Sequence, residues 1–294
     1  GSNTDPCSRK LRVNRDGTMD YRTLKQRLDG YASRELSQRT TWYSSVAAAY
    51  NQVRPRYPAS LVAQVIDTAA LSSESAILEV GCGPGTATVS FAPLGCSVVC
   101  VEPNPDFAHL AKLNCRTYPN VRIYNVAFEE WPLAENSFDA VLAATSFHWI
   151  PAEVAYAKAA QALKENGRLI LLWNKELQPS YAVYQRLADV YRHHAPSLAR
   201  YEDRVEQERI LQNLGDMVSE SRHFRDGVSG HMISNVVYTT VEYLTLLTTY
   251  SPYLQLDPSV ANRLFENLRS LIDRDFDGKL ELTYTSAFHI ARKV

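Results

Sequence analysis

The sequence has no stretch that concentrates charge of one sign, and its 31 lysines and arginines nearly balance 32 aspartates and glutamates. The electrostatic footprint of a nucleic-acid binder is therefore missing. No run approaches the ~20 apolar residues of a membrane span, and the polar N-terminus lacks the apolar stretch of a secretory signal. The five cysteines (Cys7, Cys82, Cys96, Cys100 and Cys115) are odd in number and irregular in spacing, so they form neither a disulfide framework nor a CxxC pair. Histidines 109, 193, 194, 223, 231 and 289 supply no convincing ligand pair, because neighbours such as His193 and His194 leave a helix on different sides. These absences lead us to expect a soluble cytoplasmic protein with a small-molecule partner, no metal, no nucleic acid and no membrane. They leave the oligomeric state open. Internal repeats are missing as well. The leading Gly-Ser reads as an expression scar, and Met19 as a candidate native start.

What is present is an alternation of strand-like and helix-like windows. Apolar runs at 76–80, 97–102, 121–126, 138–145 and 168–174 lack strict alternation, as strands buried on both faces do. Helical windows separate them, one opening at Gly85 or Thr86, one from about Asp106 to Arg116, and one from about Ala152 to Glu165. Asn104 and Pro105 suit the cap and first position of the second. The third ends in Glu-Asn-Gly, where Gly167 is placed to adopt the left-handed conformation that stops a helix. This pattern predicts an α/β fold with a Rossmann-like, mostly parallel seven-stranded sheet, helices on both faces and a helical cap built from insertions. We expect an N-terminal extension and helix over 1–40, a core with the ligand site over 41–175, a helical cap insertion over 176–228, and the remaining strands with a second insertion over 229–294. Both insertions should cover the carboxyl edge of the sheet, where ligands of open α/β sheets bind.

The stretch Ile-Leu-Glu-Val-Gly-Cys-Gly-Pro-Gly, residues 77–85, follows the first strand. A dinucleotide fingerprint needs its third glycine at position 86, where Thr86 stands; the spacing here is Gly81, Gly83, Gly85. Pro84 removes a backbone donor, an odd loss in a loop meant to wrap a pyrophosphate, and no Gly-Lys-Ser/Thr follows for a triphosphate loop. Glu79, two residues before the first glycine, would repel phosphate and welcome a cation, either an amine or a sulfonium.

With acidic Glu102 ending the second strand, "FDAVLAATSFHWI" at the fourth and "LKENGRLILLWN" at the fifth, the sequence resembles the class I S-adenosylmethionine-dependent methyltransferases. It is most similar to the branch containing trans-aconitate methyltransferase, through Tyr50, Arg54, Pro55, Tyr57 and Pro58 upstream and the pair His148 and Trp149. The resemblance covers residues 40 to 175 firmly and the C-terminal third loosely. It implies S-adenosylmethionine as cofactor and methyl transfer to a small molecule, a carboxylic acid by analogy with the branch. A non-catalytic cofactor-binding module, and a nicotinamide-dependent redox enzyme, are the alternatives.

The resemblance also implies site roles. Gly81, Cys82, Gly83 and Gly85 would pass beneath the methionine half of the cofactor, with Glu79 near its ammonium. Glu102, followed by Pro103, would accept hydrogen bonds from both ribose hydroxyls. Where the family often has an Asp-Ala pair near adenine, this sequence has Ala127 and Phe128, so the Phe128 backbone and Glu129 are expected to substitute. Ala144 and Thr145 would run along the methionine end, and Tyr50 and Arg54 would close over the cofactor. His148 is the candidate base, its free pKa of about 6.5 lying near working pH. Trp149, Trp173, Tyr250 and Ser251 are candidate acceptor contacts, with Asn174, Trp42 and Tyr43 as weaker ones.

Overall fold

The computed structural model describes residues 44–294; the expected N-terminal extension, Trp42 and Tyr43 lie outside the described residues. The α-helices are α1 (Ala47–Val53), α2 (Ala59–Thr68), α3 (Thr88–Phe91), α4 (Pro105–Asn114), α5 (Ala152–Ala162), α6 (Tyr181–His194), α7 (Arg204–Glu220), α8 (Thr240–Thr248), α9 (Ser251–Leu254) and α10 (Pro258–Asp275). The strands are β1 (Ala76–Val80), β2 (Ser97–Val101), β3 (Val121–Tyr124), β4 (Phe138–Ala144), β5 (Leu163–Asn174), β6 (Phe224–Thr239) and β7 (Lys279–Lys293). They form one seven-stranded sheet in the order β3-β2-β1-β4-β5-β7-β6. Pairing is parallel from β3 to β5 and antiparallel for β7 and β6.

The two-residue period of a strand divides each apolar run between two cores. Ile77, Cys100, Leu142 and Ile170 pack with Leu61 and Val65 of α2, Phe91 of α3 and Ala111 of α4. Leu78, Val141 and Leu171 face the other way, onto Ala155 and Ala159 of α5 and Leu211 and Leu214 of α7. Each fully buried Leu or Ile contributes about 1.5–3 kcal/mol of transfer free energy, which is why runs without polar positions end up at the centre of the sheet.

The long β6–β7 pair carries the third core. β7 pairs with β5 only from Ser286 to Arg292 but with β6 from Lys279 onward. Residues 279–285 therefore project past Asn174, the end of β5. Leu280, Leu282 and Tyr284 of this projection pack with Leu187 and Tyr191 of α6, Leu244 and Leu247 of α8, and Leu264 and Leu268 of α10. The 176–228 segment does not act as one unit. Its α6 joins this third core, whereas α7 lies on the sheet face because Ile210, Leu211, Leu214 and Val218 form a single apolar helical stripe.

Two local expectations change. The helix after the glycine loop is only the four residues of α3 before a 3₁₀ turn at Ala92–Leu94, where Pro93 has no N–H to continue it. The helix expected to reach Glu165 ends at Ala162. The left-handed residue in that turn is Asn166 (φ 61°), not Gly167. Gly167 is needed for space instead, since a Cβ there would lie 2.8 Å from the Lys164 carbonyl oxygen. The Asn104 cap forms as read: its side chain accepts from the Asp106 and Phe107 amides at 2.9 and 3.0 Å. Among the described residues no helix is long and apolar enough to cross a membrane.

Candidate active site

All three loop glycines are left-handed, with φ of 65° at Gly81, 55° at Gly83 and 87° at Gly85, a region that side chains occupy at a cost. Gly81 also has no room for one: a Cβ would lie 2.7 Å from Cβ of Ser146. Ser146 Oγ donates to the Val80 carbonyl at 2.7 Å, so the loop after β1 and the end of β4 are fastened together. From β2, Glu102 turns its carboxylate toward the same loop. Its Oε1 accepts from the Gly83 amide at 2.8 Å and its Oε2 from the Asn104 amide at 2.7 Å. Burial pushes this carboxyl up to about 7, against the pull of those two amides. Each oxygen keeps one further acceptor position, which suits a vicinal diol.

Above the loop lies a cavity of about 380 Å³ at the carboxyl edge of the parallel strands. Of the residues expected to hold the cofactor, Gly81, Cys82, Gly83, Glu102, Pro103, Phe128, Glu129, Ala144, Thr145, Tyr50 and Arg54 line it. Glu79, Gly85 and Ala127 do not. Glu79 lies under the loop because strand alternation turns it to the face of Ile77. There it is fully buried, its Oε1 accepting from Thr88 Oγ1 at 2.7 Å. Its Oε2 has no protein partner, and burial raises the carboxyl to about 8. Gly85 faces α4, where a Cβ would meet Cys115 Sγ at 3.3 Å. Phe128 is both core and wall, buried beside Val101 while lining the cavity. The turn that carries it is pinned by Lys158, whose Nζ donates to the carbonyls of Phe128 and Trp131 at 2.5 and 2.6 Å.

The upstream segment closes one side. Arg54 is extended (ψ 132°), as its following proline requires. Its guanidinium sits between the rings of Tyr50 and Tyr250, 4.4 and 4.6 Å from their centroids. It donates to Thr249 Oγ1 at 2.9 Å and to the Thr249 carbonyl at 3.1 Å. Nearby, the hydroxyls of Tyr57 and Thr145 are 2.7 Å apart. Thr145 is β-branched yet has φ 57°, a strained state that persists only where the surroundings impose it. Its amide is held by the Leu172 carbonyl at 2.8 Å and its side chain by Tyr57.

The remaining wall is aromatic. His148 lies beside Trp149 and Trp173, with ring centroids 5.5 and 5.6 Å away. Tyr250 and Ser251 reach the cavity from the α8–α9 junction, and Leu211 and Leu214 from α7. Sequence reasoning did not single out Ser146, Lys175, Glu176, Leu177 or Glu202, which line it too. Lys175 pairs with Glu202 at 3.0 Å, a contact between two loops that no spacing rule anticipates.

The glycine cradle and the doubly accepting Glu102 fit an adenosine-bearing sulfonium. Residues 78–171 match the family model of the methyltransferase domain. Together with the order of the sheet, this gives the Rossmann-like α/β fold of methyltransferases. An uncharacterized methyltransferase of Mycobacterium tuberculosis is 35% identical over 132 residues, 45% of this chain and 51% of its own length. The chain thus spans about half the length of this curated relative. Among solved structures, a putative type II methyltransferase from Anaeromyxobacter dehalogenans shares the fold with a TM-score of 0.59 at 19% identity, over 81% of this chain and 97% of its own. The [4+2]-cyclase SpnF shares it with a TM-score of 0.51 at 16% identity, over 89% of this chain and 97% of its own.

Proposed function

We propose that this methyltransferase-domain protein transfers a methyl group from S-adenosylmethionine to a small-molecule acceptor. The observation that carries the reading is Glu102: its carboxylate is anchored by the Gly83 and Asn104 amides and lines the same cavity as the aromatic wall. When bound, the cofactor supplies a methyl group already made electrophilic by its sulfonium. The chain's own task is then to hold and orient two molecules and to keep water out. Glu102 holds the ribose, the left-handed glycines let backbone approach the methionine half, and Phe128 and Glu129 face the adenine. Tyr50, Arg54 and Tyr250 close the mouth. His148 takes a proton from the acceptor where the acceptor carries one.

By analogy with the trans-aconitate branch the acceptor would be a carboxylic acid; Arg54 and Lys175 are the cations of the lining that could meet it, and each is already engaged, Arg54 by Thr249 and two tyrosine rings and Lys175 by Glu202. Calorimetric titration with S-adenosylhomocysteine tests the cofactor site; folded protein that gives no heat and no affinity rejects the reading. Formation of S-adenosylhomocysteine from S-adenosylmethionine in a metabolite pool separates an enzyme from a binding module. It also separates methyl transfer from other chemistry on the same fold.

A further inference from the structure

Resting on the methyl-transfer reading, we propose that the acceptor is an uncharged molecule with a flat apolar ring system, and that the cavity selects against polycarboxylates. The acceptor half of the wall is built from Trp149 and Trp173 flanking His148, with Tyr250 from the cap. Such surfaces bind a planar ring through offset or edge-on contacts, in addition to its area burial.

Charge points the same way. Four glutamates line the cavity (Glu102, Glu129, Glu176 and Glu202) against two cations, Arg54 and Lys175. Both cations are engaged. Lys175 Nζ lies 3.0 Å from Glu202, and Arg54 is stacked between two tyrosine rings with its Nε and one Nη2 donor directed to Thr249. A polyanion would have to break those contacts, and parting Lys175 from Glu202 would leave it beside the freed Glu202 carboxylate, where like charges repel in a half-buried site. A cationic acceptor is disfavoured too, because it would sit beside the sulfonium and the fixed Arg54.

The test uses one ring with three charges. 2-Naphthalenemethanol, 2-naphthoate and 2-naphthylmethylamine are titrated at pH 7.5, by saturation-transfer NMR, against the full chain saturated with sinefungin, a non-transferring analogue that keeps a positive charge where the sulfonium would stand. The alcohol should bind at least about fivefold tighter than either ion, and tricarballylate should give no heat by calorimetry. Trp149→Ala should weaken the alcohol about tenfold, and Trp149→Phe should restore part of it, with S-adenosylhomocysteine affinity unchanged in both. Glu202→Gln, which releases Lys175, should raise naphthoate affinity several-fold. Tightest binding by naphthoate or by the amine, or no binding of any ring while S-adenosylhomocysteine binds, overturns the proposal alone. Absence of S-adenosylhomocysteine binding overturns the methyl-transfer reading beneath it.

Discussion

The two halves of the cavity are built in different ways. The half we propose for the cofactor comes from strand ends within residues 80–145: the glycine loop after β1, Glu102 after β2, Phe128 after β3 and Thr145 after β4. The other half draws on Arg54 and Tyr57 upstream, the β5–α6 loop, α7 and the α8–α9 junction, segments up to about two hundred residues apart in the chain. The first half is held by backbone geometry that specific residues must adopt. The second is held by side-chain contacts among elements that each have other reasons to be where they are. Substitutions in the first should therefore abolish cofactor binding, and those in the second should loosen the acceptor side while sparing it.

Gly81→Ala is the most severe way to break the cofactor half, since the new Cβ meets Ser146 at 2.7 Å at a φ of 65°. We expect a loss of stability of about 2–3 kcal/mol by thermal denaturation, and S-adenosylhomocysteine affinity reduced beyond calorimetric detection. Glu102→Ala should lower that affinity about 100-fold, from the loss of two charge-assisted hydrogen bonds. Unchanged affinity would remove Glu102 from the ribose role.

Arg54→Met, on the other side, should cost about 1–2 kcal/mol of stability through the lost contacts to Thr249 and the two tyrosine rings. It should change cofactor affinity far less than Glu102→Ala; an equal loss would erase the distinction between the halves. His148→Ala, assayed with a verified acceptor, should reduce turnover 10²–10⁴-fold if the histidine is the base, an effect that general acid–base catalysis sets at about that size. A normal rate would leave it as wall.

Solution pH sharpens the comparison, because two acids raised by burial flank the glycine loop: Glu102, which lines the cavity, to about 7 and Glu79, beneath the loop, to about 8. Both sit above the ordinary value of 4.5, so the folded protein holds protons there that the unfolded chain releases. Their contribution to stability is full below about pH 4.5 and is lost as pH rises through about 7 to 8. A cationic cofactor favours the ionised carboxylates. Its affinity should therefore rise modestly between pH 6 and 8.5, with proton release seen as different apparent heats in phosphate and Tris. S-adenosylhomocysteine, without the sulfonium charge, should release fewer protons. Affinity that stays flat across this range, with equal heats in the two buffers, would show that neither acid ionises on binding.

Much of this was legible in advance. Strand positions followed from apolar runs, because a strand covered by helices on both faces buries nearly all of its side chains; the edge strand β3, which alternates, and the buried Glu79 of β1 depart from that rule. The Gly81–Gly83–Gly85 spacing and the place of Glu102 were readable because a tight turn and a strand end translate sequence offset directly into space. Direction in space was less legible. Glu79, expected near the ammonium of the cofactor, is turned by alternation along β1 under the loop onto Thr88, outside the cavity lining. Gly167 was expected to be left-handed; Asn166 takes that conformation instead, and position 167 is the one with no room for a side chain.

By itself, then, the sequence determined the sheet, the glycine loop after β1 and the acid that follows β2, since those depend on backbone conformations that only nearby residues set. The tertiary structure alone decided the Tyr57–Thr145 contact, the Arg54 latch on Thr249 and the Lys175–Glu202 pair. Their partners are brought together by the packing of three separate cores, and no local rule links residues whose neighbourhood is created only when those cores close.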